Sequence, residues 1–463
     1  MPQDCDLLVD GISVLADANG PAGQTGAAGQ AIAIADGRIA AIGPAAEVGR
    51  DWRAARVIDG AGGVAVPGLV DAHAHPGFVV GADWTASGTS NPMAHGGDIA
   101  MMIAIFVAIF DSEVPADVVQ PLAELTYASA ALQGQSAMVD AGSLDPQAVA
   151  TAARRVGLRT RVSVCGFDLG PDPLDPAGKP VPRRDTDRLL AELDGRLAHF
   201  DRAGVPAAVT GFWPMLCSDA LLDGIRQLAH RYAVPVLFHV SAVANEDPAS
   251  ERWHGRRNVP RLAEHGLVND ALVVSHAGHL GDADLAELAR AGAAVNHNPV
   301  QNALAGKGIA ERRLLHRALA AGVPVGLGTD TAPEVPSSLL DGVRASLMLA
   351  RDSAADDAVL TDARAVELAT LGGARCLGVD RLGALHPGWH ADLTILRPAA
   401  PSLALVADPV RMLCTTADSG DVGTVIVAGA PVVADGRLTT VDVDELRRAA
   451  RKAYADWRAS RPR

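Results

Sequence analysis

The 463-residue sequence predicts an α/β protein: a (β/α)8 TIM barrel with a small β-sandwich domain formed from its N- and C-terminal segments. Three observations carry that expectation. Eight continuous apolar runs recur between residues 64 and 381, most of them separated by helical stretches such as DTDRLLAELDGRLAHF and DADLAELARAG. Continuous runs mean strands buried on both faces, hence a parallel sheet, and eight of them alternating with helices close into a barrel. Both chain ends instead carry short β-like runs broken by Gly- and Asp-rich turns, the pattern of a small sandwich. Most of the eight apolar runs also end in a polar or metal-binding residue, at the end where active sites of this fold sit.

In chain order, residues 1–63 hold LLVDGISVL, AIAIADGRIAAIG and RVIDG, the first half of the sandwich. Residues 64–381 are the barrel, with GVAVPGLVDAH, SAMVDAG, TRVSVCGF, AAVTGF, VPVLFHV, ALVVSH, AAVNHN and VPVGLGTD as its strands. Residues 382–440 return to short strands (LGALHPGWHADLTIL, VGTVIVAGAPVVADGRL) and complete the sandwich. Residues 441–463 contain VDELRRAARKAYADWRA, an amphipathic surface helix. Two stretches depart from this rhythm. GADWTASGTSNPMAHGGD (81–98) reads as a long loop after the first barrel strand, and IAMMIAIFVAIF (99–110) follows it. Twelve apolar residues are too few to span a bilayer. They read either as a buried helix on the barrel or at a subunit interface, or as an apolar lid over the mouth.

Composition narrows the function classes. Hydrophobic residues make up 49%, charged residues 20% and aromatics only 3%, so the core is built from Ala, Val, Leu and Ile. A formal charge of −14 argues against nucleic acid or an anionic membrane surface as partner. The acidic start MPQDCDLLVD lacks a signal-peptide pattern, and no run of 18 uncharged apolar residues exists, so a cytoplasmic protein is expected. Five cysteines without a CxxC pair point to reduced thiols rather than a disulfide framework or a thiolate zinc site.

The strand tips carry the chemistry. The first strand ends in His73-Ala74-His75, whose i, i+2 spacing puts both imidazoles on one face. The fifth ends in His239, the sixth in His276 and the eighth in Asp330. Taken alone, His239 after AVPVLF reads as a core histidine. Imidazoles and a carboxylate converging on one barrel mouth form a site for a divalent ion, with Zn first and Fe, Mn or Co tolerated by the same ligands. Asp330 is placed to accept a proton from water, and His276 to hold that water or stabilise an oxyanion.

These residues carry a family resemblance that spans nearly the whole chain. VAVPGLVDAHAH, VVSHAGHL, HNPVQNALAGKGIAE, VPVGLGTD and LGALHPGWHADLTIL resemble the amidohydrolase superfamily, in particular its chlorotriazine hydrolases, cytosine deaminases and S-adenosylhomocysteine deaminases. The resemblance implies His73, His75, His239 and Asp330 as metal ligands, His276 as a partner of the hydrolytic water, and assembly into a homo-oligomer. Some members bridge two metals with a carboxylated lysine on a barrel strand. None of Lys179, Lys307 and Lys452 lies at a strand end, which favours one metal ion per chain.

Two departures matter. Family deaminases carry a glutamate three residues after the fifth-strand histidine, where this chain has Ala242; the next acid is Glu246. The family commonly places a substrate-contacting histidine in the segment that here reads GFWPMLCSDALL. Without the acid, an aromatic amidine is a poor substrate, whereas an amide, urea, carbamate or lactam carbonyl needs only metal polarisation and one cycling proton. Hydrolysis of such a carbon–nitrogen bond in a small, partly apolar molecule is therefore the leading expectation. Deamination or dechlorination of an N-heterocycle, with Glu246 or a water as the acid, is the second, and a metal-binding pseudoenzyme the third. Phe212, Trp213, Met215, Ser241, His279, Asn298 and Gln301 are candidate substrate contacts, each of which loop packing or loop hydrogen bonding also explains; His297 is expected to brace the site.

Overall fold

Each of the eight apolar runs forms a strand in the computed structural model, which describes residues 1–18, 28–78, 99–171, 179–333, 336–397 and 405–460. They are β1 (Leu69–Ala74), β2 (Gln135–Asp140), β3 (Arg159–Cys165), β4 (Ala207–Thr210), β5 (Val236–Val240), β6 (Leu272–His276), β7 (Ala294–His297) and β8 (Val325–Leu327). Neighbours pair in parallel and in chain order, as expected of strands joined by helical crossovers. Small side chains fill the interior: Val70, Ala72, Ala137, Val139, Ala208, Val273 and Ala294 form one buried cluster with Leu237. That is how a chain so poor in aromatics packs a barrel.

The ring closes between β1 and β8. The Asp330 amide donates to the His73 carbonyl at 2.8 Å and the His75 amide to the Thr331 carbonyl at 2.7 Å. Below them, the buried Asp71 carboxylate accepts from the Thr329 hydroxyl (2.6 Å), the Thr329 amide (3.0 Å) and the His73 amide (3.1 Å). Burial pushes the Asp71 carboxyl up to about 7, against the pull of these donors. Gly328 permits the close approach: a Cβ there would lie 2.6 Å from the His73 Cβ and 2.3 Å from the Asn298 side-chain oxygen.

The two chain ends meet in a nine-stranded sheet. Val64–Pro67 pairs in parallel with Ser13–Val14 and antiparallel with Leu393–Leu396, so this strand lies in the terminal sheet and the barrel proper starts at Leu69. A buried Asp392 ties sheet to barrel by accepting from Arg159 at 2.7 and 2.9 Å. The C-terminal helix Val443–Ala459 lays Ala450, Tyr454 and Trp457 against Val118 and Leu122. The apolar stretch is helix α1 (Ile99–Phe110), and the expected loop 81–98 lies outside the described residues. Among the described residues, no helix is long and apolar enough to cross a membrane.

Gly328→Ala is expected to destabilise the fold by about 1–3 kcal/mol through overpacking of the β1–β8 seam, read as a lowered denaturant midpoint with an unchanged m-value.

Candidate active site

Five non-glycine residues at the mouth hold positive φ: Phe212 (64°), Ser241 (51°), His276 (68°), Ala277 (54°) and Asp330 (53°). They follow or close β4, β5, β6 and β8, turning the chain sharply where each strand delivers its side chain. Strain of this kind, roughly 1–3 kcal/mol a residue, persists only where surrounding structure imposes it.

The five strand-tip residues converge. His73 Nε2 lies 3.2 Å and His75 Nε2 3.4 Å from Asp330 Oδ1, and His239 Nε2 lies 3.3 Å from His75 Nε2. His276 Nε2 is 3.9 Å from Asp330 Oδ2. Two overlapping donor groups result, each with its atoms within 4.8 Å of one another: His73, His239 and His276, and His73, His75 and Asp330.

The far sides of these rings are held by residues outside the cluster. His239 Nδ1 faces the Phe212 carbonyl at 3.3 Å, and a carbonyl only accepts, so the proton sits on Nδ1 and Nε2 presents a lone pair. His73 Nδ1 meets the Ser275 hydroxyl at 2.9 Å, itself held by the Asn296 amide at 2.9 Å. His73 Nε2 is buried and faces Asp330 Oδ1 at 3.2 Å without the alignment of a hydrogen bond. Burial lowers the pKa of His73 to about 4 and drives those of His239 and His276 well below the usual imidazole range, with neighbouring positive charge adding to the effect. Burial alone would raise the Asp330 pKa, yet the imidazoles of His73 and His75 hold it well below the carboxylate range. Neutral imidazoles, an ionised carboxylate and an orphaned inward nitrogen suit a divalent cation. The donor set fits the metal that the sequence implies.

An aromatic wall flanks the imidazoles. The Phe212 ring sits 4.3 Å from the His239 ring and nearly parallel to Phe78 at 6.3 Å. Helix α1 adds Phe106, 5.5 Å from Phe212 and 4.8 Å from Trp213, and Phe110, 5.0 Å from Phe212. Of the two readings of residues 99–110, α1 has the packing of the buried helix: Met102, Ile103, Phe106 and Val107 are buried, and Phe106 and Phe110 pack on Phe212.

The remaining sequence candidates divide. Asn298 reaches His276 Nδ1 with its amide at 3.2 Å. Ser241 donates to Asp247 at 3.0 Å, and Asp247 in turn accepts from the Asn258 amide, so this hydroxyl pins the loop after β5. His279 bonds the Lys307 carbonyl through Nε2 at 3.0 Å. Met215 is fully buried in the main hydrophobic cluster, and His254 bonds its carbonyl. Gln301 lies half-buried on helix α3 (Pro299–Leu304), and His297 is buried with Nδ1 unpartnered.

Lys307 and Asn302 matter here although their sequence positions did not disclose it, and Glu246, the next acid after Ala242, takes a place that the sequence left open. Lys307, in the loop after β7, is buried, with Nζ 3.5 Å from His276 Nδ1 and 3.9 Å from Asp330 Oδ2. Glu246 opens helix α2 (Glu246–His254) with its carboxyl folded back and fully buried. Its Oε1 accepts from the Val243 amide at 3.1 Å, and Oε2 has no partner. Burial raises Glu246 to about 7, countered in part by the positive charge of Lys307. The clue available in sequence for Lys307 is its flanking by Gly306 and Gly308, both at positive φ, which let the loop fold inward. Asn302, 3.1 Å from His276 Nδ1, carried no clue beyond its place in the same loop.

The amidohydrolase family model matches residues 64–432, from the start of the first signature to the terminal sheet. The chain belongs to the amidohydrolase family. It is a hydrolase acting on carbon–nitrogen bonds, in a superfamily whose members depend on metal. A 5-methylthioadenosine/S-adenosylhomocysteine deaminase of Syntrophobacter fumaroxidans is 32% identical over 95% of both chains. Among solved structures, an adenosine deaminase from Xanthomonas campestris with bound zinc superposes at a TM-score of 0.84 with 25% identity, covering 99% of this chain and 100% of that one. An atrazine chlorohydrolase from Arthrobacter aurescens, complexed with zinc, shares the fold at a TM-score of 0.79 and 22% identity, over 96% and 99% of the two chains.

Glu246 makes one prediction. Its folded pKa is raised from 4.5 to about 7, so the stability it contributes is full below pH 4.5 and is lost as pH rises through 7. Glu246→Gln should remove that slope. Its stability relative to the parent is expected to rise by roughly 2 kcal/mol between about pH 5 and pH 8, measured by urea unfolding at both.

Proposed function

We propose that the protein hydrolyses an amide, urea, carbamate or lactam carbon–nitrogen bond in a small, partly apolar molecule. The observation that carries this reading is the pairing of Ala242 with the aromatic wall: a buried methyl group stands where family deaminases place their acid, and Phe212, backed by Phe78 and Phe106, lies beside His239 in the segment where the family commonly has a substrate-contacting histidine. A carbonyl substrate does not need a ring nitrogen protonated before water adds.

We assign His73, His75, His239 and Asp330 as ligands of one divalent ion and Asp330 and His276 as catalytic groups. Zinc is the metal we favour, supported by the Xanthomonas campestris relative that binds it. When bound, such an ion polarises the carbonyl and lowers the pKa of water. Asp330 accepts a proton from the attacking water as its oxygen bonds the carbonyl carbon. His276 donates a hydrogen bond to the oxygen that gains charge. Asp330 then passes its proton to the leaving nitrogen as the carbon–nitrogen bond breaks, so that acid and amine leave with atoms and charge balanced. Phe212 and Trp213 exclude water from the apolar part of the substrate. The substrate-facing roles of Phe212 and Trp213 belong to this proposal; Ser241 and His279 serve it by holding loops around the mouth, and Asn298 through its contact with His276.

A second reading rests on Glu246. A buried carboxyl raised to about 7 keeps a proton near neutral pH and is a candidate acid for deaminating a heterocycle, and the Syntrophobacter fumaroxidans relative is named as such a deaminase.

A panel separates the two. The metal-loaded enzyme is expected to release amine from aryl ureas, anilides or carbamates; ammonia from adenosine-type or aminopyrimidine substrates, with no turnover of the carbonyl panel, would establish the second reading instead. Asp330→Asn should lower turnover by about 10²–10⁴-fold, with bound metal measured in parallel to separate lost catalysis from lost ligation.

A further inference from the structure

Lys307 is a buried ammonium that the proposed mechanism does not use. The Gly306 and Gly308 turns (φ 65° and 70°) bring it inward, its amide bonds the Asn302 carbonyl at 3.0 Å, and its own carbonyl accepts from His279 at 3.0 Å. Its backbone is therefore fixed from both sides. A buried cation requires compensation, and the ionised Asp330 carboxylate, 3.9 Å from Nζ, supplies it, with Glu246 adding charge once it loses its proton. Its Nζ meets His276 Nδ1, on the far side of the ring from the nitrogen that faces Asp330, at 3.5 Å.

That contact bears on which nitrogen of His276 carries the proton. An ammonium has hydrogens to donate and no lone pair to accept with, and the Asn298 amide nitrogen approaches the same Nδ1 as a second donor at 3.2 Å. Among the described residues, the acceptor facing Nδ1 is Asn302 Oδ1 at 3.1 Å. Turning that side-chain amide end for end replaces it with a donor without displacing a heavy atom, and Asn302 Nδ2 is at present buried without a partner.

We propose that Lys307 is a positioning residue: by donating to Nδ1 it holds His276 as the Nε2–H tautomer, so that Nε2 offers a proton to the reacting oxygen instead of a lone pair to the cation. The proposal rests on reading the mouth as a hydrolytic site and sharpens it. Of the two overlapping donor groups, it removes His276 from the ligands and leaves His73, His75, His239 and Asp330. It also gives His276 the hydrogen-bond donor that stabilising an oxyanion requires.

The test reads the tautomer directly. In full-length protein labelled with ¹⁵N-histidine, metal-free and metal-loaded, two-bond proton–nitrogen spectra distinguish the protonated ring nitrogen of each histidine, and His276→Asn identifies the signals of interest. The expected result is His276 protonated at Nε2 in the parent, displaced towards Nδ1–H in Lys307→Met and restored in Lys307→Arg. In cobalt-loaded Lys307→Met, the visible spectrum should shift as Nε2 joins the coordination sphere, with metal stoichiometry unchanged. Nδ1–H in the parent would overturn the proposal, as would a parent-like tautomer and cobalt spectrum in Lys307→Met. If that variant fails to fold, the parent tautomer and Lys307→Gln, which keeps a donor and should retain Nε2–H, still decide. No substrate is needed, so an inactive carbonyl panel and a wrong tautomer are separate failures.

Discussion

Where β1 meets β8, the Asp330 amide donates to the His73 carbonyl and the His75 amide to the Thr331 carbonyl, and the site hangs from that seam. Three of the five converging side chains belong to residues whose backbone groups close the ring. Asp71 reinforces the junction from below, gathering the Thr329 hydroxyl and two amides onto one buried carboxylate. The spacing between the imidazoles and the carboxylate is therefore a property of barrel closure. Any side chain at Gly328 would separate the same two strands.

Electrostatics at the mouth follow from burial more than from formal charge. A chain that carries −14 overall concentrates neutral imidazoles here and holds them neutral by desolvation, while Asp330 remains ionised because those imidazoles surround it. Lys307 and Glu246 form the second tier of the site. One is a cation that burial makes harder to keep, the other an acid that burial makes easier to keep protonated. The aromatic wall contributes by excluding water, which strengthens each of these interactions.

Much of this was legible in sequence, for physical reasons that also explain the rest. Strands buried on both faces write themselves as continuous apolar runs, and a ligand at a strand tip has its direction fixed by the strand, so His73, His75, His239, His276 and Asp330 stand out together. Loops impose no such periodicity. Lys307 sits between two glycines whose turn decides whether it faces solvent or Asp330, and the sequence does not state the turn. Glu246 follows a five-residue loop that Ser241 and Asp247 pin through a side-chain bond, and such bonds leave no pattern. Met215 lies one turn past the wall, where a short 3₁₀ helix carries it into the core rather than towards the cavity. The apolar segment 99–110 announced its burial but not its neighbours, because a uniformly apolar helix has no preferred face.

The seam has a further consequence in time. Thr329 is 258 residues from the Asp71 carboxylate it binds, and Thr394 is 260 residues from the Gly134 carbonyl that its hydroxyl meets. A chain emerging from the ribosome cannot close the ring until Thr331 of its 463 residues has been made, and the terminal sheet waits longer still. Contacts this far apart place the cost of loop closure ahead of the reward, which makes for slow, late assembly. Until then, β1 exposes an unpaired apolar edge of the kind that chaperones shield and aggregation exploits. The bonds that draw the strand-tip histidines and Asp330 together are thus the last that the barrel ring can form.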